Sequence, residues 1–150
     1  MRLLRIGAAG MRGEVGAGLN PMLAIDFASA MGTRSEGGRV VVARDTRASS
    51  DMLFHACASG LLACGCELVD AGICPAPALH FMIPGLGADG GILVGAAHHQ
   101  AGWNAVAPLA SNGAYMDGAQ LQELLDIYHG RVYKNRDWKG VGKAVPAPAD

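Results

Sequence analysis

The chain has 150 residues, a hydrophobic content of 51% and a formal net charge of −1. This length predicts one domain, and the apolar content is enough for one sizeable core, which excludes a disordered chain. We expect neither nucleic acid nor a membrane surface as a partner, because both need clustered Lys and Arg and no such cluster is present.

Helix and strand patterns alternate from residue 20 onward. The Asn-Pro pair at 20–21 predicts a helix start, with one apolar stripe at positions 23, 27 and 31. The β-branched run 39–43 is typical of a strand that is buried on both faces. The serine pair at 49–50 is expected to cap a second helix, and Gly65 fits the position just after its end.

The pattern continues with a strand at 66–70, a proline-initiated helix at 75–85 and a strand at 91–94. This order is βαβαβ and predicts an α/β fold. A short strand at 104–107 and a last helix follow, and Asp117 with Gln120 resembles a capping box for that helix. We therefore expect the domain to span 1–133 and residues 134–150 to form a linker or an unanchored tail.

Cysteines and histidines raise the question of a metal site. Cys64 and Cys66 are separated by one residue, which is not the usual spacing of zinc ligands, and adjacent His98 and His99 rarely share one metal. We expect no metal site and ordinary reduced core cysteines, which indicate a cytosolic setting. Neither a signal-peptide pattern nor an apolar run of ~20 residues is evident, and a cytoplasmic location is expected.

Glycines near the beginning of the chain do not form a nucleotide-binding fingerprint. Gly7, Gly10 and Gly13 are too widely spaced for a dinucleotide loop, and no P-loop sequence is present. Four segments of the chain match the motifs of a different class of protein, and they occur in the same order as those motifs. They are GAAGMRG at 7–13, VVVARDTRASS at 40–50, DAGICPAPALHF at 70–81 and GGILVGAAHHQAGWNAV at 90–106.

Together these segments resemble the first domain of the α-D-phosphohexomutases, the phosphoglucomutase and phosphomannomutase family. The resemblance runs along almost the whole chain and implies a three-layer α/β/α sandwich with a mixed, mostly parallel sheet. It also implies the family's reaction, in which a phosphorylated serine moves a phosphoryl group between C1 and C6 of a hexose. In the family, Mg²⁺ bridges that phosphoserine to an aspartate loop in the next domain.

This chain departs from the family at the nucleophile. Aligned with the family's T-A-S-H-N-P, the serine position is Ala97, and the family lysine falls near Val106 or Ala107. Three further hydroxyl positions carry Ala8, Ala9 and Gly95. A methyl group cannot attack phosphorus, and the metal loop and later domains have no counterpart in residues 1–150. We therefore expect no catalysis by this chain alone, and no Mg²⁺ or other cofactor.

The resemblance nevertheless implies a phosphate-binding role for some residues. Arg12 suits an oxyanion, and the glycines beside it are expected to expose backbone N–H groups. His98 resembles the family's acid/base histidine and is expected to be a relict. The candidate phosphate-binding set is Arg12, Gly13, Ala97 and His98.

The remaining polar residues of the motifs invite structural interpretations. Trp103 and Asn104 resemble the family's Tyr-Asn pair and either contact a substrate or anchor the loop. Arg44, Asp45 and Arg47 are expected to be a loop-fixing ion-pair set rather than a site.

Two functional hypotheses remain open. The first is a non-catalytic module that binds phosphate, a phosphosugar or a protein. The second is the first domain of a split or truncated phosphohexomutase, which another polypeptide completes. A homodimer is also expected, because a domain without its neighbour should leave apolar surface uncovered. The expected contacts are Trp103, Val106, Pro108, Leu121, Leu125 and Tyr128.

Overall fold

The computed structural model describes residues 4–7, 9–96 and 102–148. In this part of the chain the helices are α1 (Pro21–Arg34), α2 (Ala48–Ala63), α3 (Ala76–Gly85) and α4 (Gly118–Gly130). The strands are β1 (Leu4–Gly7), β2 (Gly10–Glu14), β3 (Arg39–Arg44), β4 (Glu67–Ile73), β5 (Gly90–Ala96), β6 (Trp103–Leu109) and β7 (Lys143–Pro146). The strands form one sheet in the order β1-β2-β6-β5-β3-β4-β7.

The sheet is mixed, as predicted, but its parallel part is smaller than expected. Strands β5, β3, β4 and β7 pair in parallel, whereas β1, β2, β6 and β5 pair antiparallel. The difference follows from the connections. Helices cross over between β3, β4 and β5, while short links join β1 to β2 and β5 to β6, and short links produce antiparallel neighbours.

Helices cover both faces of the sheet, which confirms the predicted α/β/α layers. On one face, α1, α2 and α4 bury a core around Phe27, Leu61 and Leu124. On the other face, α3 buries Leu79 and Ile83 against β3 and β5. This second face is less fully covered over β2 and β6, where Arg12 and Ala105 are partly exposed.

Three of the four helix-start predictions are confirmed, among them the proline-initiated start of α3. The Asn20 side chain accepts a 3.0 Å hydrogen bond from the Leu23 N–H, with a proline in the first turn of α1. Asp117 and Gln120 form a full capping box on α4. The serine cap of α2 is wrong, because Arg47 precedes that helix and no side chain caps it. Ser49 and Ser50 lie inside α2, where their hydroxyls meet β6 instead.

The glycine-rich segment 7–13, whose glycines beside Arg12 were expected to expose backbone N–H groups, belongs to a β-hairpin in its described residues. Leu4 pairs with Gly13, and Gly7 pairs with Gly10 across the turn. Met11 and Gly13 are buried while Arg12 is only partly so, which is the alternation of a strand. Arg12 therefore lies on a strand, with its backbone between β1 and β6.

Residues 134–148 lie against the domain, so the expectation of an unanchored tail is wrong for this stretch. The Lys134 N–H donates to Thr33 Oγ1 at 3.0 Å, and the Arg136 N–H donates to the Ala63 carbonyl at 2.8 Å. Residues 143–146 then add β7 beside β4. Backbone hydrogen bonds anchor much of the segment, and Val145 and Ala147 add apolar contacts to the core beneath α3. Two apolar residues near its end are too few to give a periodic signal. Its interpretation as a linker to another domain stays a prediction.

Three of the four cysteines are core residues, as predicted, whereas Cys74 is only half-buried. Cys57, Cys64 and Cys66 are buried, and none of the four is in a disulfide. Burial raises the pKa of the Cys57 thiol to about 12 and that of Cys66 to about 11. Within the described ranges, no three His, Cys, Asp or Glu side chains cluster as metal ligands would. No helix there is both long and apolar enough to span a membrane.

Candidate functional site

The candidate site lies on the sheet face that carries α3, where β5 ends. Register places Arg12 of β2 opposite Ala105 of β6, and Ala105 opposite Gly95 of β5. Residues directly opposite each other in a sheet point to the same face. Arg12, Ala105 and Gly95 therefore form one row across β2, β6 and β5, on the same face of the sheet.

A shallow pocket of about 170 Å³ opens over this row. Small side chains form its floor, so the backbone is close to the surface. Arg12 supplies the charged group, and Tyr115 forms one wall. Its lining residues are Ala9, Arg12, Leu93, Gly95, Ala96, Ala105, Ala107 and Tyr115. The pocket is thus a cationic recess beside the segment that follows Ala96.

The protein leaves a hydrogen-bond donor of the Arg12 side chain without a partner among the described residues. Its Nε is buried and has no hydrogen-bond partner among the described residues. It also forms no ion pair with a described carboxylate. Outside the described ranges, Asp150 is the sole acidic residue of the sequence. A buried donor without a partner costs about 1–3 kcal/mol, and more when it is charged.

Asn104 fixes the end of β5 beside this pocket. Its side chain is 1% exposed, and its amide nitrogen donates to the Gly95 carbonyl at 2.9 Å and to Ser50 Oγ at 2.8 Å. Its amide oxygen accepts a 2.6 Å hydrogen bond from Ser49 Oγ. One buried amide therefore connects β6, β5 and the first turn of α2.

The surroundings of Trp103 indicate that this residue also holds the start of β6 in place. The residue is 7% exposed, and its carbonyl accepts a 2.8 Å hydrogen bond from Arg47 Nη1. Arg47 pairs with Asp45 at 3.8 Å, and the Arg47 N–H donates to the Asp45 carboxylate at 3.2 Å. The geometry favours the anchoring interpretation of the Trp103-Asn104 pair over substrate contact.

The predicted ion-pair set divides into two groups. Arg44 does not pair with Asp45 or Arg47 but contacts Asp51 at 3.3 Å and Asp70 at 3.4 Å. Its guanidinium also lies 4.3 Å from the centre of the Phe54 ring. Arg44 thus ties β3 to α2 and β4, and only Asp45 and Arg47 fix the loop.

Two expectations about the candidate residues need correction. Gly13 is buried in β2 between two paired strands, so its backbone is not the exposed donor of a loop. The dimer contacts expected at Trp103, Val106, Pro108 and Tyr128 are buried in the domain. Leu121 and Leu125 pack partly against the same core. Ala8, Ala97, His98 and His99 lie outside the described residues.

Sequence reasoning missed two residues that the structure places near Arg12. Arg5 pairs directly with Arg12 across the hairpin, a neighbour that only the strand register reveals. Tyr115 lines the pocket and meets the His80 ring edge-on at 5.0 Å. Recognising 4–14 as a hairpin would have found Arg5, whereas no local pattern marks Tyr115.

The Mg²⁺ that the family resemblance implies does not fit the described residues of this pocket. Mg²⁺ prefers carboxylate and other oxygen ligands, yet no carboxylate residue is among those lining the pocket. The Asp45 Oδ2 atom lies 3.7 Å from where a Cβ on Gly95 would stand, and Arg47 already pairs with this carboxylate. No step of the chemistry is therefore assigned to a metal held by this chain.

Comparison with known proteins agrees with this architecture. The family model "Phosphoglucomutase/phosphomannomutase, alpha/beta/alpha domain I" matches residues 4–134. The chain belongs to the phosphoglucomutase/phosphomannomutase family and corresponds to its domain I.

Curated relatives show how much of such a protein this chain represents. A Pyrococcus furiosus protein named "Probable phosphoglucosamine mutase" is 38% identical over 141 residues, covering 94% of this chain and 31% of the relative. A Sulfurisphaera tokodaii protein named phosphoglucosamine/phosphogalactosamine mutase is 32% identical over 140 residues, covering 93% of this chain and 31% of the relative. The chain therefore spans 31% of the length of these relatives.

A solved structure shows the same fold. A phosphoglucomutase/phosphomannomutase family protein from Burkholderia thailandensis superposes with a TM-score of 0.77 at 27% identity. The match covers 95% of this chain and 34% of that protein. The α/β fold predicted from the sequence is thus confirmed by both kinds of comparison.

Proposed function

We propose that this domain binds a phosphate group, free or on a sugar, through Arg12 and does not itself transfer it. The observation that carries the proposal is the Arg12 guanidinium, whose buried Nε has no partner among the described residues and which lines an open pocket. An oxyanion in the pocket would accept from the N–H donors of this guanidinium group. Guanidinium groups suit this ligand because their fork of N–H donors matches two phosphate oxygens.

The rest of the pocket supports binding rather than chemistry. Gly95 and Ala105 keep the floor low, so an anion can approach the backbone. None of the lining residues is a serine, threonine, cysteine or carboxylate, the usual nucleophiles of group transfer. The family resemblance puts Ala97 at the nucleophile position, which is consistent with a pocket that holds phosphate but does not accept a phosphoryl group.

Calorimetric titration with inorganic phosphate and with a hexose phosphate tests the proposal. We expect Arg12→Gln to raise the Kd for both at least about tenfold, because a charge-assisted hydrogen bond contributes about 1.5–3 kcal/mol. Arg131→Gln is the matched control, since Arg131 is exposed at the end of α4. Equal Kd values for wild type and Arg12→Gln would contradict the proposal.

Restoring the nucleophile alone should not restore a reaction. We expect Ala97→Ser to show no mutase turnover above background, because the transition state also needs charge stabilisation that no described residue except Arg12 offers in this pocket. A coupled phosphoglucomutase assay measures this, with a full-length relative as positive control. Turnover by the variant that persists after a second purification would contradict this expectation.

A second candidate function is that of the first domain in a longer or two-chain phosphohexomutase. The observation that favours it is the span, since relatives named as mutases are matched over 31% of their length. Supplying the unmatched part of the Pyrococcus furiosus relative to the Ala97→Ser variant tests this candidate. Turnover would support it. The candidate is contradicted if the variant stays inactive while the same part of the relative is active together with the relative's own first domain.

A further inference from the structure

Two arginines stand side by side on the open face of the β1–β2 hairpin. Arg5 and Arg12 are direct register partners in an antiparallel pair, so their side chains emerge on the same face. Opposed residues in such a pair have Cβ atoms only about 4.5–5.5 Å apart, and like charges in this position destabilise the sheet. The hairpin thus carries two like charges side by side, which a nearby negative charge would offset.

The described protein does not supply that charge. Neither arginine forms an ion pair among the described residues. Glu14 is on the same face, two residues beyond Arg12 on β2, yet it is ion-paired with neither of them. Arg5 instead lies with its guanidinium 5.8 Å from the centre of the Trp103 ring. This ring contact orients Arg5 without neutralising it.

Space for an anion lies beside the two arginines. A second pocket, of about 470 Å³, is lined by Leu4, Arg5, Ile6 and Arg12. It adjoins the pocket above Ala105, since Arg12 lines both. Arg12 therefore lines both recesses, and Arg5 lines the larger of the two.

We propose that Arg5 and Arg12 together form a clamp for one dianionic oxyanion of the phosphate type. The inference rests on the proposed function, because it makes Arg5 the second arginine of the Arg12 phosphate site. Two guanidinium groups bind a dianion better than a monoanion, since each can pair with a separate charged oxygen. Bound anion would also remove the repulsion between the two strands, which couples phosphate binding to the stability of the hairpin.

Phosphate titration of four proteins tests the clamp: wild type, Arg5→Gln, Arg12→Gln and the control Arg131→Gln. We expect Arg5→Gln to raise the Kd for inorganic phosphate about tenfold, as lost charge-assisted bonding does. Arg12→Gln should raise it at least as much, and Arg131→Gln should leave it unchanged. A hexose phosphate, titrated in parallel, should lose affinity by the same factor, because the clamp holds the phosphate and not the sugar.

Thermal unfolding gives a second, independent readout. Added phosphate should raise the Tm of wild type more than that of Arg5→Gln, because the variant lacks one of the two arginines that bind the anion. A phosphate-dependent difference of this kind is not expected of a side chain with a purely structural role.

The outcomes separate this inference from the proposed function. If Arg12→Gln weakens binding and Arg5→Gln does not, the clamp is overturned and the Arg12 site stands. If Arg5→Gln alone weakens binding, both proposals are overturned, because the anion then binds without Arg12. Wild type that binds no phosphate overturns both as well.

Discussion

Replacing Gly10 by alanine is expected to lower the free energy of unfolding by about 3 kcal/mol, the range of strain combined with overpacking. Gly10 begins β2 with φ at +85°, a conformation that side chains rarely adopt. An added Cβ would overlap the Val106 carbonyl oxygen and lie 2.8 Å from both Ala107 Cα and Pro108 Cδ. These atoms belong to β6 and cannot move without breaking its pairing with β2.

Gly7→Ala is the matched control for this substitution. Gly7 pairs directly with Gly10 at the end of the same hairpin, but a Cβ there meets no atom within 4 Å. Chemical denaturation of both variants should give a change within about 0.5 kcal/mol for Gly7→Ala, as for ordinary surface sites. Similar values for the two variants would show that β2 does not approach β6 as closely as described.

Asn104→Ala is expected to cost about 2–4 kcal/mol, because it leaves several buried groups without partners. The Gly95 carbonyl and the hydroxyls of Ser49 and Ser50 would lose the bonds that join β5 and α2 to β6. Phosphate affinity should fall with stability, since Gly95 is part of the pocket floor. Denaturation midpoints and phosphate titration of the same sample measure both effects.

Gln122→Ala is a suitable control for Asn104→Ala. Gln122 is exposed on α4, and its amide bonds only the exposed Asp126 one turn later. Its loss should change stability by less than about 0.5 kcal/mol. An Asn104→Ala variant as stable as this control would mean that the buried amide does not hold the strand end in place.

Much of the fold could be predicted because its signals are local. The Asn20 cap, the Asp117 capping box and the fully buried run 40–43 each depend on residues a few positions apart. The order of four motifs also identified the family, which the match over residues 4–134 confirms. Local hydrogen bonding and apolar periodicity are enough to place such elements.

What could not be predicted depends on contacts between distant segments. Ser49 and Ser50 satisfy the usual cap preference, but their partner is Asn104, more than fifty residues later. The sequence of 7–13 did not indicate a hairpin, because glycine can adopt a strand conformation but does not favour one. Arg5 belongs to the candidate site only through that hairpin, so sequence spacing alone gave it no significance.

Nuclear magnetic resonance titration with inorganic phosphate tests whether Arg12 binds a phosphate group. The Arg12 side-chain Nε–H resonance and the Gly95 amide should shift together along one saturable curve, because both border the pocket that we assign to phosphate. The Arg131 side-chain resonance, at the far end of α4, should not follow it. If the Arg12 resonance does not shift up to tens of millimolar phosphate, in a sample whose spectrum is that of a folded domain, phosphate binding at Arg12 is contradicted.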